Sequence, residues 1–382
     1  MRILIISSYF GTVIGGALNF IKKISRELTS RGHTVILLLD RRYYELFSET
    51  DFNIIWFSST KISSYSPSLS FVKILSKIDV DVIHLHGFMS FQIDAGAIIG
   101  YLRKIPVILT PHGSLMGYEH LYEKFIDKIP YKIHNAITLK LATRYSKFII
   151  PTSDAEFDDC IKFGITNKKI KLIPLAFNSL ESWDVKELKQ KNRLLFVGRI
   201  VPLKNLEILL KSIQILKKDF PTIQLTIVGE EVKGRIKGDD GYKQKLVELI
   251  KDLNINENVK FKGWKIGNEL WNEYKKSELF ILASTYENFC LPLLEAATFG
   301  IPLISSNVGI AQKLIGKNQG GNIIYELNAN NYAKKIKELL EDEKRYSECS
   351  EYIKKITENF TIKSIVNEYE KIFIRIKKNG WN

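Results

Sequence analysis

The stretch LLFVGRIVPLKNLEILL, residues 194–210, passes from an apolar run through Gly198 and a basic turn into apolar residues at helical spacing. A short apolar run is what a strand buried on both faces requires. Apolar residues three and four apart mark a helix with one buried stripe. The same order opens the chain. Residues 2–7 are an apolar run, a glycine-bearing loop follows, and Leu18, Ile21, Ile24 and Leu28 recur at helical spacing over 17–30 before Gly32. Two such beginnings predict two doubly wound α/β domains.

Outward from these starts, strands are expected at 34–39, 82–85, 107–109 and 148–151 in the first half. In the second half they are expected at 194–197, 223–228, 259–261, 279–283 and 302–305, with a helix from about 205 to 218. The polar stretch 178–192 reads as a linker. It divides the chain into an N-terminal Rossmann-like domain, 1–178, and a second domain, 179–360. A helix predicted over 361–378 has no strand after it, so the C-terminal residues 361–382 are expected to cross back to the first domain. Residues 230–241 carry three glycines and mixed charge and read as a mobile loop.

A chain of 382 residues exceeds one typical domain, and 45% hydrophobic residues with 26% charged argue against disorder. The net charge of +14 is spread over both halves. It favours phosphate-bearing substrates or anionic lipid, and with no reader motif present a nucleic-acid partner is not expected. Cys160, Cys290 and Cys349 lie far apart with no C-x-x-C pair, which argues against a disulfide framework or zinc site and fits a reducing compartment. The N-terminus lacks a signal-peptide layout, and no run approaches the ~18 apolar residues that span a bilayer. A cytoplasmic protein, able to touch a membrane from one side, is the resulting expectation.

The most informative chemistry lies in STYENFCLPLLEAATFGIPLIS, residues 284–305. Pro292 sits where a helix begins, a position that tolerates its missing N–H, and Gly300 ends that helix. A helix N-terminus presents unpaired N–H groups that suit a diphosphate. Glu287 on the loop and Glu295 on the helix could each accept hydrogen bonds from sugar hydroxyls. The plainer reading leaves Glu287 in solvent and Glu295 complementing the helix dipole. In 196–210, Arg199 leaves a strand end and Lys204 precedes a helix. Two cations at a carboxyl strand edge can neutralise a leaving diphosphate, though a solvated basic turn would look the same.

Together these pieces resemble the large retaining glycosyltransferase family four (glycosyl transferases group 1), with the GT-B fold of two Rossmann-like domains facing each other across a cleft. The E-x7-E element is Glu287 to Glu295, and the Gly-Arg…Lys element is Gly198, Arg199 and Lys204. Gly15-Gly16, Arg31-Gly32-His33, Thr110-Pro111-His112-Gly113-Ser114 and Thr152-Ser153-Asp154-Ala155-Glu156 resemble further landmarks, in order, over almost the whole chain. The His112 segment is most similar to members that build bacterial surface polysaccharides.

The resemblance implies transfer of a sugar from a nucleotide-diphosphate donor, with UDP preferred over GDP, to a hydroxyl of a saccharide, with retention of configuration. The acceptor would be lipid-linked. Arg199 and Lys204 would hold the diphosphate, Glu295 the ribose, and Glu287 the transferred sugar. Backbone N–H groups of Phe289, Cys290 and Leu291 would add phosphate contacts. Trp264 and Lys265 would frame the base, Gly15 and Gly16 would admit the substrates, and His112 would lie near the transferred sugar. The mechanism implied is a same-face displacement without metal or other cofactor, with a hinge near 178–192 closing the domains. Where members of the family carry an acid this chain has Gln312, which leaves donor-sugar choice open. A sugar-nucleotide epimerase or phosphorylase of the same fold, and a non-catalytic nucleotide-sugar-binding membrane scaffold, are the alternatives.

Three further features need weighing. Asp79-Val80-Asp81 is a D-x-D triplet, but two carboxylates alone make a poor cation site, and a helix-to-strand turn is expected. His84 and His86 alternate on one strand face without an evident third ligand, so ordinary packing or a cleft-lining role is expected. Residues 121–147 are basic. Phe125, Ile129, Ile133, Ile137 and Leu141 recur every four residues, with Lys124, Lys128, Lys132, Lys140 and Arg144 set beside them. That pattern suits an anionic membrane surface, although Pro130 is expected to interrupt the helix and such spacing commonly marks core.

Overall fold

The computed structural model describes residues 1–8, 16–47, 52–60, 65–88, 90–113, 115, 125–136, 140–177, 189–231 and 240–379. The chain divides into two compact units, Met1–Ala176 with Phe360–Asn382, and Phe177–Asn359. Each is a six-stranded parallel sheet. The first is built from β1 (Arg2–Ser7), β2 (Thr34–Asp40), β3 (Asn53–Phe57), β4 (Val82–His86), β5 (Val107–Thr110) and β6 (Phe148–Ile149), in the order β3-β2-β1-β4-β5-β6. The second is built from β7 (Arg193–Val197), β8 (Gln224–Val228), β9 (Val259–Phe261), β10 (Leu279–Leu282), β11 (Leu303–Ser306) and β12 (Gly321–Ile324), in the order β12-β11-β10-β7-β8-β9. Read from its own first strand, each sheet has the doubly wound order whose reversal point lies beside that strand.

The central strands are continuous apolar runs because helices cover both faces. Ile3 to Ile6 are sealed in the first sheet, and Leu194 to Phe196 and Leu279 to Leu282 in the second. Leu18, Ile21, Ile24 and Leu28 form the buried stripe of the Gly16–Ser30 helix. Gly32, at φ +84°, lets the chain turn back so that His33 N–H can cap the Leu28 carbonyl.

The helix Ile362–Asn379 buries Ile365, Val366, Tyr369, Phe373 and Ile376 against the first unit. Arg31 donates to Asn367, Glu370 and the Lys363 carbonyl, and His33 meets Glu370 at 3.1 Å, which ties this helix to the turn after Gly16–Ser30.

Two expectations change here. Lys189–Asn192 are not free linker: Lys189 Nζ donates to the Gly300 carbonyl and the Tyr346 hydroxyl, and Gln190 N–H to the Lys276 carbonyl. Residues 178–188, the rest of the expected hinge, lie outside the described residues, as do 232–239 of the glycine-bearing loop. Pro130 does not interrupt its helix, which runs Phe125–His134. Pro130 is exposed, so water can take the carbonyl one turn earlier that its ring leaves unpaired.

Candidate functional site

In the second unit the carboxyl ends of β7, β8 and β9 meet at glycines. Gly229, at φ +143°, packs so closely that a Cβ would fall on the Gly198 carbonyl, and its N–H donates to the Gly263 carbonyl. The chain leaves β7 through Gly198 and Arg199 and turns at Pro202–Lys204. Asn205 then takes a left-handed conformation, φ 48°, before the Leu206–Leu216 helix. Asn205 donates to the Ala283 carbonyl and the Thr285 hydroxyl, and Thr285 N–H to the Leu203 carbonyl. These bonds fasten the basic turn to the loop that follows β10.

The consequence is an ion pair. Buried Lys204 meets Glu287, and Ser284 Oγ donates to the same carboxylate oxygen at 3.0 Å. The two residues are thus not solvated charges. Arg199 differs: it is half-buried, and among the described residues nothing pairs with its guanidinium.

The Leu291–Thr298 helix begins with Pro292 in its first turn, after Cys290 in a left-handed conformation, φ 67°. Gly309 packs so tightly that a Cβ would strike the Phe289 carbonyl, which also accepts the Ile310 N–H. Among the described residues, no group accepts the N–H of Phe289, Cys290 or Leu291, so three donors gather at this helix start. Glu295, one turn in, accepts from the buried Tyr274 hydroxyl at 2.7 Å. Burial pushes the Cys290 thiol well above its ordinary range. Glu287 and Glu295 push it the same way and Lys204 opposes them, so all three charges lie about this one side chain. Lys265 reaches Glu269 at 3.5 Å, and Trp264 is about half exposed at the end of the loop after β9. Gln312 is exposed on the Ala311–Ile315 helix.

In the first unit, His112 follows β5 at φ 57°, with Gly113 at φ 83°. The buried Glu156 carboxylate accepts from Gly113 N–H, and from Thr152 through both N–H, at 2.7 Å, and hydroxyl, at 2.9 Å. His112 Nε2 lies 3.0 Å from His86 Nδ1, and His84 Nε2 lies 2.9 Å from Thr110 Oγ1. Burial lowers the pKa of all three imidazoles, His84 and His112 to about 3, so each is neutral at physiological pH. Gly15 lies outside the described residues, and Gly16 begins the first helix.

The two other metal-like patterns have structural partners. Arg2 holds both acids of the D-x-D triplet, its side chain on Asp79 and its N–H on Asp81 at 2.7 Å, at the start of β1. Among the described residues no group of three His, Cys, Asp or Glu is arranged to hold a metal ion.

Sequence reasoning missed Tyr274 and Ser284 as partners of the two glutamates, Asn205 as the clamp, and Glu156 as the acceptor behind the His112 turn. Only Glu156 carried a signal, the S-x-x-E spacing with Ser153, which caps its helix by accepting from Glu156 N–H at 3.2 Å.

Two parallel Rossmann-type sheets, with cations and carboxylates gathered at a carboxyl strand edge, define a nucleotide-handling α/β enzyme. The fold matches that of HepE from Anabaena, crystallised with UDP, at TM-score 0.79 over 98% of this chain and 100% of the other, with 20% identity. Residues 14–179 match the Glycosyltransferase Family 4 model and residues 179–356 the Glycosyl transferases group 1 model. The chain is a GT-B glycosyltransferase of this group 1 and family 4 kind. Among its relatives is the capsular polysaccharide biosynthesis glycosyltransferase CapH of Staphylococcus aureus. It is 29% identical over 290 residues, 75% of this chain and 76% of the relative. Another is the UDP-Gal:alpha-D-GlcNAc-diphosphoundecaprenol alpha-1,3-galactosyltransferase of Escherichia coli, 28% identical over 68% of this chain and 66% of the relative.

Proposed function

We propose that this glycosyltransferase moves a hexosyl unit from a UDP-sugar to a hydroxyl of a lipid-linked saccharide, with retention, in the assembly of a bacterial surface polysaccharide. The observation that carries the reading is the grouping of Lys204, Glu287 and Glu295 about Cys290, with Arg199 leaving the adjacent strand and N–H groups at the helix start that have no partner among the described residues. A diphosphate needs cations and N–H donors, and a nucleoside needs an acceptor for its ribose hydroxyls. Arg199, Lys204 and the N–H groups of Phe289, Cys290 and Leu291 hold the diphosphate in this reading. Glu295, oriented by Tyr274, takes the ribose, and Glu287 takes the sugar. Trp264 and Lys265 frame the base, and His112 of the acceptor-side unit contacts the sugar. The likeness to HepE and to the galactosyltransferase, whose descriptions name UDP and UDP-Gal, supports the choice of nucleotide.

The bond from the anomeric carbon to the phosphate oxygen breaks as the acceptor oxygen bonds to that carbon on the same face. The acceptor proton passes to the departing phosphate, giving UDP and a glycoside. Charge stabilisation by Arg199 and Lys204 is the main catalytic contribution, and no metal is needed to supply it. The test is to supply an α-linked UDP-hexose and a lipid-linked saccharide and to follow UDP release together with the product's anomeric NMR signal. Stoichiometric UDP and an α-glycoside, unaffected by a chelator, are expected. A β-glycoside overturns retention, and a free epimerised nucleotide-sugar overturns transfer.

The Phe125–His134 helix supports a peripheral place on the anionic cytoplasmic face of a membrane. Phe125, Ile126 and Ile133 are well exposed and Ile129 partly so, with Lys128 and Lys132 beside them, while His134 fixes the helix end to buried Asp94 at 3.3 Å. Exposed apolar residues flanked by lysines suit anionic lipid. Among the described residues no helix is long and apolar enough to cross a bilayer. Flotation with phosphatidylglycerol vesicles should recover the protein, and Phe125→Ser with Ile129→Ser should abolish recovery. Equal recovery with neutral vesicles at low salt counts against it.

A further inference from the structure

Past the hydrogen bond from Ile150 N–H to the Leu109 carbonyl, the exits of β5 and β6 are joined by the Glu156 carboxylate. One oxygen accepts the Gly113 N–H, from the loop after β5. The other accepts the Thr152 N–H at 2.7 Å and its hydroxyl at 2.9 Å, from the loop after β6. Glu156 is sealed from solvent and lies in the first turn of the Asp154–Lys162 helix, where the helix dipole favours a carboxylate. Ser153 caps that helix, and Glu156 stands three residues on. That is the spacing of a capping box, in which the glutamate reaches back to the N–H of the capping residue. Glu156 instead reaches one residue further back, to Thr152, and across to another loop. Helix capping alone leaves its bond to Gly113 unexplained.

What it reaches is a strained turn. His112, φ 57°, and Gly113, φ 83°, are successive left-handed residues, and the first carries a side chain. Such a conformation persists where its surroundings hold it. The turn is fastened on both sides: the Thr110 carbonyl accepts the Gly87 N–H, and the carbonyl of buried Leu115 accepts from Asn135 at 3.2 Å. Between these anchors, the bond from Gly113 N–H to Glu156 holds the peptide that joins His112 to Gly113. The His112 ring carried on this turn is half-buried, stacked on His86 at 5.3 Å and edge-on to Phe20 at 6.2 Å.

We propose that Glu156 is a positioning residue for the transfer reaction: by fixing the peptide between His112 and Gly113, it sets the place of the His112 ring at the edge of the first sheet. Its described donors are two N–H groups and a hydroxyl, one or more on each oxygen. The position therefore calls for a group that accepts at both oxygens. A glutamine would set its NH2 against the N–H of either Gly113 or Thr152. The effect on turnover rests on the reading of His112 as a contact of the transferred sugar; the hold on the ring does not.

The experiment joins kinetics to NMR of the carbon-bound ring protons of His112, in the full chain with ring-labelled histidine. His112→Asn assigns the signal among the six histidines. Glu156→Gln is expected to shift that signal and to lower kcat about 10- to 30-fold, with donor KM and UDP affinity within about twofold. In a His112→Ala background the same change should cost less than about threefold in kcat, because the two residues act through one ring. A cost as large as in the wild-type background overturns the proposal, and so does an unmoved His112 signal. Should Glu156→Gln fail to fold, Gly113→Ala decides: it strains the left-handed turn and leaves Glu156 in place. It should move the same signal and lower kcat with donor KM nearly unchanged; an unmoved signal at full turnover overturns the proposal. A shifted signal in Glu156→Gln, with His112→Ala at full turnover, supports the hold on the ring and instead refutes the place given to His112 beside the sugar.

Discussion

The two units build functional groups from opposite materials. At the edge of the second sheet, formal charges are kept and paired: Lys204 with Glu287, and Glu295 against a tyrosine hydroxyl, beside an arginine with no partner among the described residues. At the edge of the first sheet, the buried imidazoles of His84 and His86 and the half-buried one of His112 are held neutral, and one carboxylate, Glu156, is consumed in holding the His112 turn. A charged ligand needs the first arrangement and a neutral, directional contact needs the second. The contrast supports a diphosphate on the second unit and sugar hydroxyls on the first.

Lys204→Ala should be the most damaging change. It leaves the half-buried Glu287 carboxylate without its cation, at a cost of about 2 kcal/mol in stability, and removes phosphate-neutralising charge, at about a thousandfold in turnover. Lys204→Met with Glu287→Gln should restore most of the stability, measured by urea unfolding, and none of the turnover. Recovery of both would mean that the pair is only structural.

The three imidazoles should show in the pH dependence of stability. Unfolded histidines take up protons near pH 6.5, whereas His84 and His112 do so only near pH 3 when folded. The stabilisation is therefore full above about pH 6.5 and is lost as pH falls. Unfolding free energy should drop by roughly 2 kcal/mol for each of the two between pH 7 and pH 5. His112→Asn should flatten that slope; an unchanged slope would separate the imidazoles from acid sensitivity.

Tyr274→Phe should have the mildest effect, removing one hydrogen bond to Glu295. Donor KM should rise about three- to tenfold with kcat little changed. A fall in kcat alone would move Glu295 from ribose binding to the reacting centre.

Much of the fold is legible in the chain because central parallel strands must be apolar throughout. The strand at Val259–Phe261 has the bounds expected, and those at β1, β4, β7 and β10 differ by a residue at most. Two of the four edge strands, β3 and β12, escaped notice. Asn53–Phe57 is only partly buried, and Gly321-Asn322 opens its strand with residues that favour turns. Of the site, the residue types and spacings at Arg199, Lys204, Glu287 and Glu295 stand out, but their partners do not. Tyr274 sits on another helix with no motif. The link between His86 and His112 depends on strand register, which no local pattern records.

Titration calorimetry of UDP into the wild-type chain and Arg199→Ala tests the central claim most directly, because removing Arg199 strands no partner among the described residues. Binding should weaken by about 10- to 100-fold while the unfolding temperature stays the same. Equal UDP affinity in the two proteins would contradict a diphosphate site at this strand edge.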